Sequence, residues 1–93
     1  MELPTDYTKL KPNQRREVRA QYTKDQNNLC MYCGETLAEP APDRITSLAI
    51  NWRLFPIGFL KSPVHLQHCH RTNMTEGVVH SYCNAVLWQY EGR

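Results

Sequence analysis

The sequence predicts a small single domain of the α+β class. The chain has 93 residues, a length at which the hydrophobic core is thin. A breaker-poor segment typical of a helix comes first, followed by short apolar runs typical of strands and then by a second helical pattern. We expect residues 1–11 to be a flexible leader and residues 12–93 to form the domain.

The N-terminal half predicts a helix, a tight turn and a loop. A proline suited to the first helical turn opens a predicted helix over 12–26. The segment from Cys30 to Gly34 predicts a tight turn, because glycine supplies the backbone freedom that such turns need. Two prolines within residues 38–47 predict a loop there.

Three strands and a helix are predicted in the second half of the chain. Alternating apolar residues predict a strand over 48–54, stopped by the proline and glycine that follow. A second strand is predicted over 64–68, and a third begins at Val78 after a polar loop over 71–77. Apolar residues at i, i+3, i+4 and i+7 predict a helix over about 81–91.

The larger aromatic side chains are interpreted as packing residues. We expect them to build the core rather than to stack on nucleic-acid bases, and the turn tyrosine, Tyr32, to pack over a metal site. The aromatic residues assigned to the core are Trp52, Phe55, Phe59, Trp88 and Tyr90.

Composition argues against membrane and secreted proteins. No stretch approaches the ~20 apolar residues of a membrane helix, and the first residues lack the basic and apolar regions of a signal peptide. Four cysteines could form two disulfides in a secreted protein. In a reducing cytoplasm, a Cys-x-x-Cys sequence accompanied by histidines favours a metal site instead.

Two short cysteine and histidine pairs predict a structural zinc site. Cys30 and Cys33 form the first pair and His80 and Cys83 the second, each with two intervening residues. Zinc commonly takes four such ligands in tetrahedral geometry. The pairs are 46 residues apart, so the zinc would clamp a unit built between them rather than form an ordinary zinc finger. A rival set replaces His80 with Cys69, and an isolated Cys-x-x-Cys can also be a redox pair.

A histidine-rich segment and an asparagine could form a separate catalytic centre. His65, His68 and His70 are close in sequence, and Asn84 directly follows Cys83. Cleaving a phosphodiester requires a base to activate water and a cation to neutralise developing charge. A neutral histidine is a natural base near pH 7, and an amide oxygen suits Mg²⁺ or Mn²⁺. We expect His68 to be the general base. His70 and His65 are expected to contact the phosphate, to support His68, or to serve as a supplementary metal ligand.

These motifs together resemble the HNH endonucleases, and most closely the phage recombination endonuclease VII family. That family combines a Cys-x-x-Cys turn, a His-x-Asp-His-Asp-His segment, and a strand that leads into a second zinc pair followed by asparagine. The resemblance runs from about residue 20 to the C-terminus. The matching segments are Cys30-x-x-Cys33-Gly34, His65-Leu66-Gln67-His68-Cys69-His70 and Gly77-Val78-Val79-His80-x-x-Cys83-Asn84-Ala85.

The resemblance implies a zinc-stapled ββα-metal (His-Me finger) motif with an N-terminal helix. It also implies a metal-dependent DNA endonuclease that nicks DNA, with Asn84 as the principal ligand of a catalytic Mg²⁺ or Mn²⁺. Gln67, a neutral ligand, and Cys69 stand where relatives commonly have aspartates. These two positions favour the alternative, a weak or inactive HNH-like zinc module that binds nucleic acid or a protein partner.

DNA is the expected partner, although the net charge of +2 does not establish this by itself. Arg15, Arg16, Arg19 and Arg71 are the candidates for contacting phosphates, and a solvated helix face would give a similar pattern. Endonuclease VII-like dimers rely on helices beyond the catalytic unit that this sequence does not offer, so we expect a monomer or a weak dimer. The resemblance further implies a protein in the cytoplasm of a bacterial host, encoded by a phage or prophage.

Overall fold

An antiparallel hairpin that leads directly into a helix forms the centre of the structure. The computed structural model describes residues 2–92. The first residue of the predicted leader, Met1, and the last residue of the predicted domain, Arg93, lie outside this range. The two strands form the only sheet of the described residues, and the two longer helices pack against both strands. The fold is therefore α+β, as predicted. In chain order the elements are α1 (Pro12–Asp25), α2 (Asp43–Thr46), β1 (Val64–His68), β2 (Thr75–His80) and α3 (Ser81–Glu91).

The hydrophobic core lies between the hairpin and the two longer helices. Its fully or nearly fully buried apolar side chains contribute about 1.5–3 kcal/mol each to stability when they leave water. The core side chains from α1, the hairpin and α3 are Val18, Leu66, Val78, Val79, Val86 and Leu87.

No helix of residues 2–92 has the length and apolar character needed to cross a membrane.

The hairpin contains a bulge beside the predicted catalytic histidine. Gln67 pairs with Gly77, but the next residue, His68, pairs with Thr75. Glu76 is therefore an extra residue on β2. Bulges of this kind bend a strand and change the direction in which nearby side chains point. From His68 to the turn of the hairpin, the side chains thus no longer alternate regularly between the two faces of the sheet.

The turn that carries Cys30 is docked onto β2 by Gln26. The Gln26 side chain accepts a hydrogen bond from the Val78 N–H (2.9 Å) and donates one to the Val78 carbonyl (3.0 Å). The Met31 N–H bonds to the same carbonyl. A Cβ atom at Gly77 would lie 2.5 Å from Gln26 Oε1 and 2.8 Å from Met31 Sδ. A larger residue at this position would displace the ends of the Gln26 and Met31 side chains, and with them the hydrogen bonds from Gln26 to Val78.

Both long helices and the strand over 64–68 are confirmed, with small changes of boundary. The last predicted strand begins at Thr75, three residues before Val78, so the preceding loop is shorter than expected. The loop predicted over 38–47 contains the four-residue helix α2. Pro42 precedes its first turn and Asp43 opens it, which suits both the missing proline N–H and the helix dipole.

The strand predicted over 48–54 is wrong. This segment forms an irregular stretch that ends in a short 3-10 turn. Side chains of α3 satisfy its backbone: Gln89 Oε1 accepts from the Asn51 N–H (2.8 Å), and Gln89 and Tyr90 both donate to the Ala49 carbonyl. Asn51 also caps the turn by accepting from the Arg53 N–H. These groups are therefore paired without a neighbouring strand.

Residues 2–11 lie along the turn end of the hairpin. The Tyr7 N–H donates to the Asn73 carbonyl, and the Thr75 N–H donates to the Thr5 carbonyl, both at 2.8 Å. The Thr5 N–H in turn donates to Thr75 Oγ1 at 3.0 Å. The segment expected to be a leader thus adds a short extended piece beside β2 and brings Tyr7 close to His68.

Candidate functional site

The four predicted zinc ligands converge in the structure. The nearest ligand atoms of Cys30, Cys33, His80 and Cys83 all lie within 4.8 Å of one another. Sulfur ligands about 2.3 Å from a tetrahedral zinc are about 3.8 Å apart, so the cluster has suitable dimensions. Cys30, His80 and Cys83 are buried. The cluster could therefore hold a zinc ion.

His80 is oriented to present Nδ1 to the three sulfur atoms. Its Nε2 lies 2.8 Å from the Thr36 carbonyl and 2.9 Å from the Glu39 carbonyl. Since carbonyls only accept, Nε2 carries the proton and Nδ1 keeps its lone pair. Nδ1 lies 3.4 Å from Cys33 Sγ and 3.6 Å from Cys83 Sγ. Such outer hydrogen bonds commonly orient histidine ligands of metals.

The thiols of the cluster cannot all ionise together without a cation. Hydrogen bonding from the Cys83 thiol lowers the pKa of Cys30, and the same bond raises the pKa of Cys83. Burial raises the pKa of Cys33. A single thiolate is therefore favoured, because two more negative charges would lie within 4.8 Å of it. A divalent cation reverses this preference, which is the expected behaviour of a metal site.

Cys69 is not part of this cluster. It lies in the turn of the hairpin, where its N–H and carbonyl bond to Met74 and Asn73, and hydrogen bonds with Thr72 lower the pKa of its thiol. The rival ligand set with Cys69 in place of His80 is therefore wrong. Within residues 2–92, the Cys30 cluster is the only close group of three or more cysteine, histidine or acidic ligands.

A second site is a cleft of about 410 Å³ between α1, β1, α3 and the 54–59 segment. It brings together all five predicted catalytic and hard-metal residues. Among the described residues, no aspartate or glutamate lines it. Its polar and aromatic lining includes Tyr7, Arg15, Arg19, His65, Gln67, His68, His70, Asn84, Phe55, Phe59 and Trp88.

His68 is covered by an aromatic ring from the N-terminal segment. The Tyr7 ring lies parallel to the imidazole, with centroids 4.0 Å apart and an interplanar angle of 8°. His70 lies at 4.6 Å and is tilted. Burial, followed by the nearby His70, lowers the pKa of His68, while Glu76 acts in the opposite direction. His68 is therefore neutral at pH 7 and able to accept a proton.

Asn84 and His65 form a hydrogen-bonded pair inside the cleft. Asn84 Nδ2 donates to His65 Nδ1 at 3.1 Å, in the tautomer with the proton on Nε2. Within the described residues, Asn84 Oδ1 has no hydrogen-bond partner. Burial lowers the pKa of His65, so this histidine is also neutral at pH 7. The pair fixes the amide with its oxygen available to a ligand.

Gln67 is held by a carboxylate that lies behind the cleft. Its Nε2 donates to the His68 carbonyl at 3.0 Å and to Glu76 Oε1 at 3.2 Å. Two acceptors at one end of the amide fix which end is NH₂. Gln67 is 1% exposed, yet its side chain has no buried atom without a partner. Its Oε1 is thus the atom through which Gln67 reaches the cleft.

The predicted nucleic-acid arginines divide into two groups. Arg15 and Arg19 lie on α1 and line the cleft, and the Arg15 guanidinium lies 5.3 Å from the Tyr7 ring centre. Arg16 and Arg71 are exposed and do not line it.

The aromatic residues predicted to form the core are largely at the surface. Trp52 and Trp88 are each 41% exposed, and Tyr90 is 53% exposed. Phe55 and Phe59 are half-buried at the edge of the cleft. The assignment of these residues to the core is therefore wrong. Trp52, Phe55 and Phe59 lie in a segment that pairs with no strand among the described residues and packs beside α3, and Trp88 and Tyr90 lie on the exposed face of α3 itself.

Two residues near the predicted catalytic histidine were missed from the sequence: Tyr7, which lines the cleft, and Glu76, which lies behind it and accepts from Gln67. Tyr7 lies in the predicted leader, and its contact with His68 depends on pairing with the distant hairpin turn. Glu76 is an ordinary acidic residue in the stretch predicted to be a loop, and no local feature of the sequence marks it.

Comparison with protein-family models, with curated proteins and with solved structures found no match for this chain.

Proposed function

We propose that the protein is a metal-dependent DNA endonuclease of the HNH type, stabilised by a structural zinc ion. The observation that carries the proposal is the convergence of His65, His68, His70 and Asn84 in one cleft that no acidic side chain of residues 2–92 lines. The order of a hairpin followed at once by a helix agrees with the ββα-metal motif that the sequence resembles. Two of the zinc ligands, Cys30 and Cys33, precede that unit in the turn after α1, whereas His80 ends β2 and Cys83 lies on the first turn of α3.

His68 is suited to remove a proton from water. Because its pKa is lowered, it is neutral at pH 7 and stays neutral below the ordinary histidine value of about 6.5. Tyr7 limits rotation of the imidazole by stacking on one face. A base held in one orientation needs little reorganisation when a water molecule is placed beside it.

The amide oxygens of Asn84 and Gln67 are the groups that would hold a hard divalent cation. A bound Mg²⁺ or Mn²⁺ would neutralise charge that develops on the phosphate oxygens. Asn84 is next to zinc ligand Cys83 on the first turn of α3, so zinc would hold it in place. With only neutral protein ligands, the affinity for this cation is expected to be low.

Arginines supply the positive charge that a phosphodiester requires. Arg15 and Arg19 project from successive turns of α1 into the cleft, and no acidic residue opposes them there among the described residues. His70, which is exposed at the end of β1, can also donate to a phosphate oxygen. The cleft is therefore complementary to an anionic backbone.

An inactive nucleic-acid-binding zinc module is the second candidate. The observation that favours it is the pairing of Gln67 with Glu76, which leaves the cleft without a carboxylate ligand. Such a protein would bind DNA through the same arginines without cleaving it.

Relaxation of supercoiled plasmid by the zinc-loaded protein tests the enzyme directly. We expect nicked circles to accumulate with Mg²⁺ or Mn²⁺ and not without a divalent cation. Asn84→Ala should lose activity, and higher Mn²⁺ should restore part of it, because the substitution weakens binding of the cation rather than removing the base. An active Asn84→Ala protein with an unchanged Mn²⁺ dependence would contradict the role of Asn84.

A further inference from the structure

An exposed apolar surface lies beside the cleft. We define the aromatic surface as Trp52, Phe55, Phe59 and Trp88 together with Ile57, which is fully exposed. Leu54 and Leu60 are also exposed in the same segment. Contiguous apolar residues on the surface of a small protein commonly mark a binding site.

The aromatic surface continues into the cleft through ring-to-ring contacts. The Phe55 ring centre lies 5.8 Å from that of Trp52 and 5.4 Å from that of Trp88. Phe59 contacts His65 at 4.7 Å, and Trp88 contacts His70 at 5.9 Å. A ligand that enters the cleft next to these histidines therefore meets the aromatic rings as well.

Charge limits the kind of ligand that fits. Residues 44–75, which include most of the aromatic surface, contain four arginines and lysines, three histidines and no aspartate or glutamate. Arg53 and Lys61 flank the exposed rings in sequence. A partner with regularly spaced negative charges and flat apolar groups satisfies both features, and single-stranded nucleic acid has that chemistry.

Duplex DNA fits this surface less well than single strands do. In a duplex the faces of the bases are stacked on one another, so they cannot reach Trp52 or Trp88. Unpaired bases expose those faces, and stacking on aromatic side chains is the usual way in which proteins bind them.

We propose that the aromatic surface binds unpaired bases of single-stranded DNA next to the phosphate that occupies the cleft. The inference rests on the proposed function, because it takes the cleft as the phosphate site. It adds that the substrate has unpaired nucleotides beside the scissile bond.

Tryptophan fluorescence tests this directly, because both tryptophans of the chain, Trp52 and Trp88, belong to the aromatic surface. The zinc-loaded protein, without added Mg²⁺ or Mn²⁺, is titrated with a short thymidine oligonucleotide. Matched titrations use a blunt duplex and an abasic phosphodiester chain of equal length. We expect the thymidine strand to quench the fluorescence and to bind about tenfold or more tightly than the abasic chain.

Two variants separate stacking from charge. Trp52→Ala and Ile57→Ser should each weaken thymidine binding by about fivefold or more while leaving abasic binding unchanged. Ile57→Ser should not disturb folding, since the side chain is fully exposed. Leu29→Ser is the matched control: Leu29 is 43% exposed and lies outside the cleft lining, so binding should stay as in the wild type.

Several results would overturn the inference. These are equal binding of the thymidine and abasic strands, tighter binding of the duplex, or a dimer in light scattering that Ile57→Ser abolishes.

Because the binding titrations measure no cleavage, the binding proposal and the nuclease proposal can fail separately. Thymidine binding without plasmid nicking would refute the nuclease alone, and nicking without a preference for bases would refute the aromatic surface alone.

Discussion

At the scale of single residues, the environment of His68 decides whether the cleft can act near neutral pH. The imidazole stacks on Tyr7 and lies beside His70, with Glu76 on the adjoining strand and the Arg15 guanidinium 5.3 Å from the Tyr7 ring centre. Burial is the largest influence on its pKa and favours the neutral form. The N-terminal segment is therefore part of the site rather than an appendage.

Removing the Tyr7 ring should change the titration of His68. In Tyr7→Ala the imidazole gains access to water, so its pKa should rise toward the ordinary value of about 6.5. The acid limb of the nicking rate should then move to higher pH, because His68 must be neutral to act as a base. The His68 ring resonance, followed by NMR against pH in the zinc-loaded protein, measures the pKa without requiring activity.

The matched control is Tyr7→Phe, which keeps the stacked ring and should titrate as the wild type does. A Tyr7→Ala protein whose His68 titrates at the wild-type pH would show that the stack has no influence on this histidine.

At the scale of elements, the bulge on β2 explains why glutamine at position 67 is tolerated. Gln67 supplies both N–H groups to acceptors that lie beside it, the His68 carbonyl and Glu76. An aspartate there would place a second carboxylate next to Glu76 and remove both donors. Buried groups that lose their partner cost about 1–3 kcal/mol each, and charged groups cost more.

Introducing at position 67 the aspartate that is common in the HNH endonucleases, which the sequence resembles, should therefore destabilise the protein when it is made alone. Gln67→Asp is expected to lower the free energy of unfolding by about 2 kcal/mol or more, measured by urea denaturation of the zinc-loaded protein. Adding Glu76→Gln removes the repulsion and supplies a donor, so the double variant should recover most of that stability. If Gln67→Asp is as stable as the wild type, the pairing of Gln67 with Glu76 has been misassigned.

The elements also show what a sequence can and cannot predict. The strands of the hairpin and α3 could be predicted because short apolar runs and helical periodicity are local, and the zinc ligands because each chelating pair spans two intervening residues. The strand predicted over 48–54 is wrong because the side chains of Gln89 and Tyr90, which are distant in sequence, form the hydrogen bonds of this backbone. The contact between Tyr7 and His68 could likewise not be predicted from the sequence, because it depends on pairing of the N-terminal segment with the distant hairpin turn.

At the scale of the whole molecule, zinc is expected to be required for folding. The core is small, and Cys30 and Cys83 form part of it. Structural zinc binds small peptides with apparent binding free energies of ~10–16 kcal/mol. This is as large as, or larger than, the usual free energy of unfolding of a whole domain, ~5–15 kcal/mol. Without the metal, the buried thiols and His80 would hold α3 against the Cys30 turn only weakly.

Cys30→Ala should accordingly be unfolded, with no cooperative thermal transition and with less than one zinc ion per chain by elemental analysis. Cys69→Ala is the control, because Cys69 is the free cysteine outside the cluster, and it should fold and retain one zinc ion. A metal-free Cys30→Ala protein that melts cooperatively would refute a structural role for zinc.

Plasmid nicking by His68→Ala, compared with the wild type at equal zinc content, tests the central claim most directly. General-base assistance contributes about 10²–10⁴-fold, so the variant should lose at least a hundredfold in rate with Mg²⁺ or Mn²⁺. Its melting temperature should stay close to that of the wild type, because His68 lies at the end of β1, outside the buried core and the zinc cluster. Undiminished nicking by a folded, zinc-loaded His68→Ala protein would contradict the assignment of this cleft as a nuclease site.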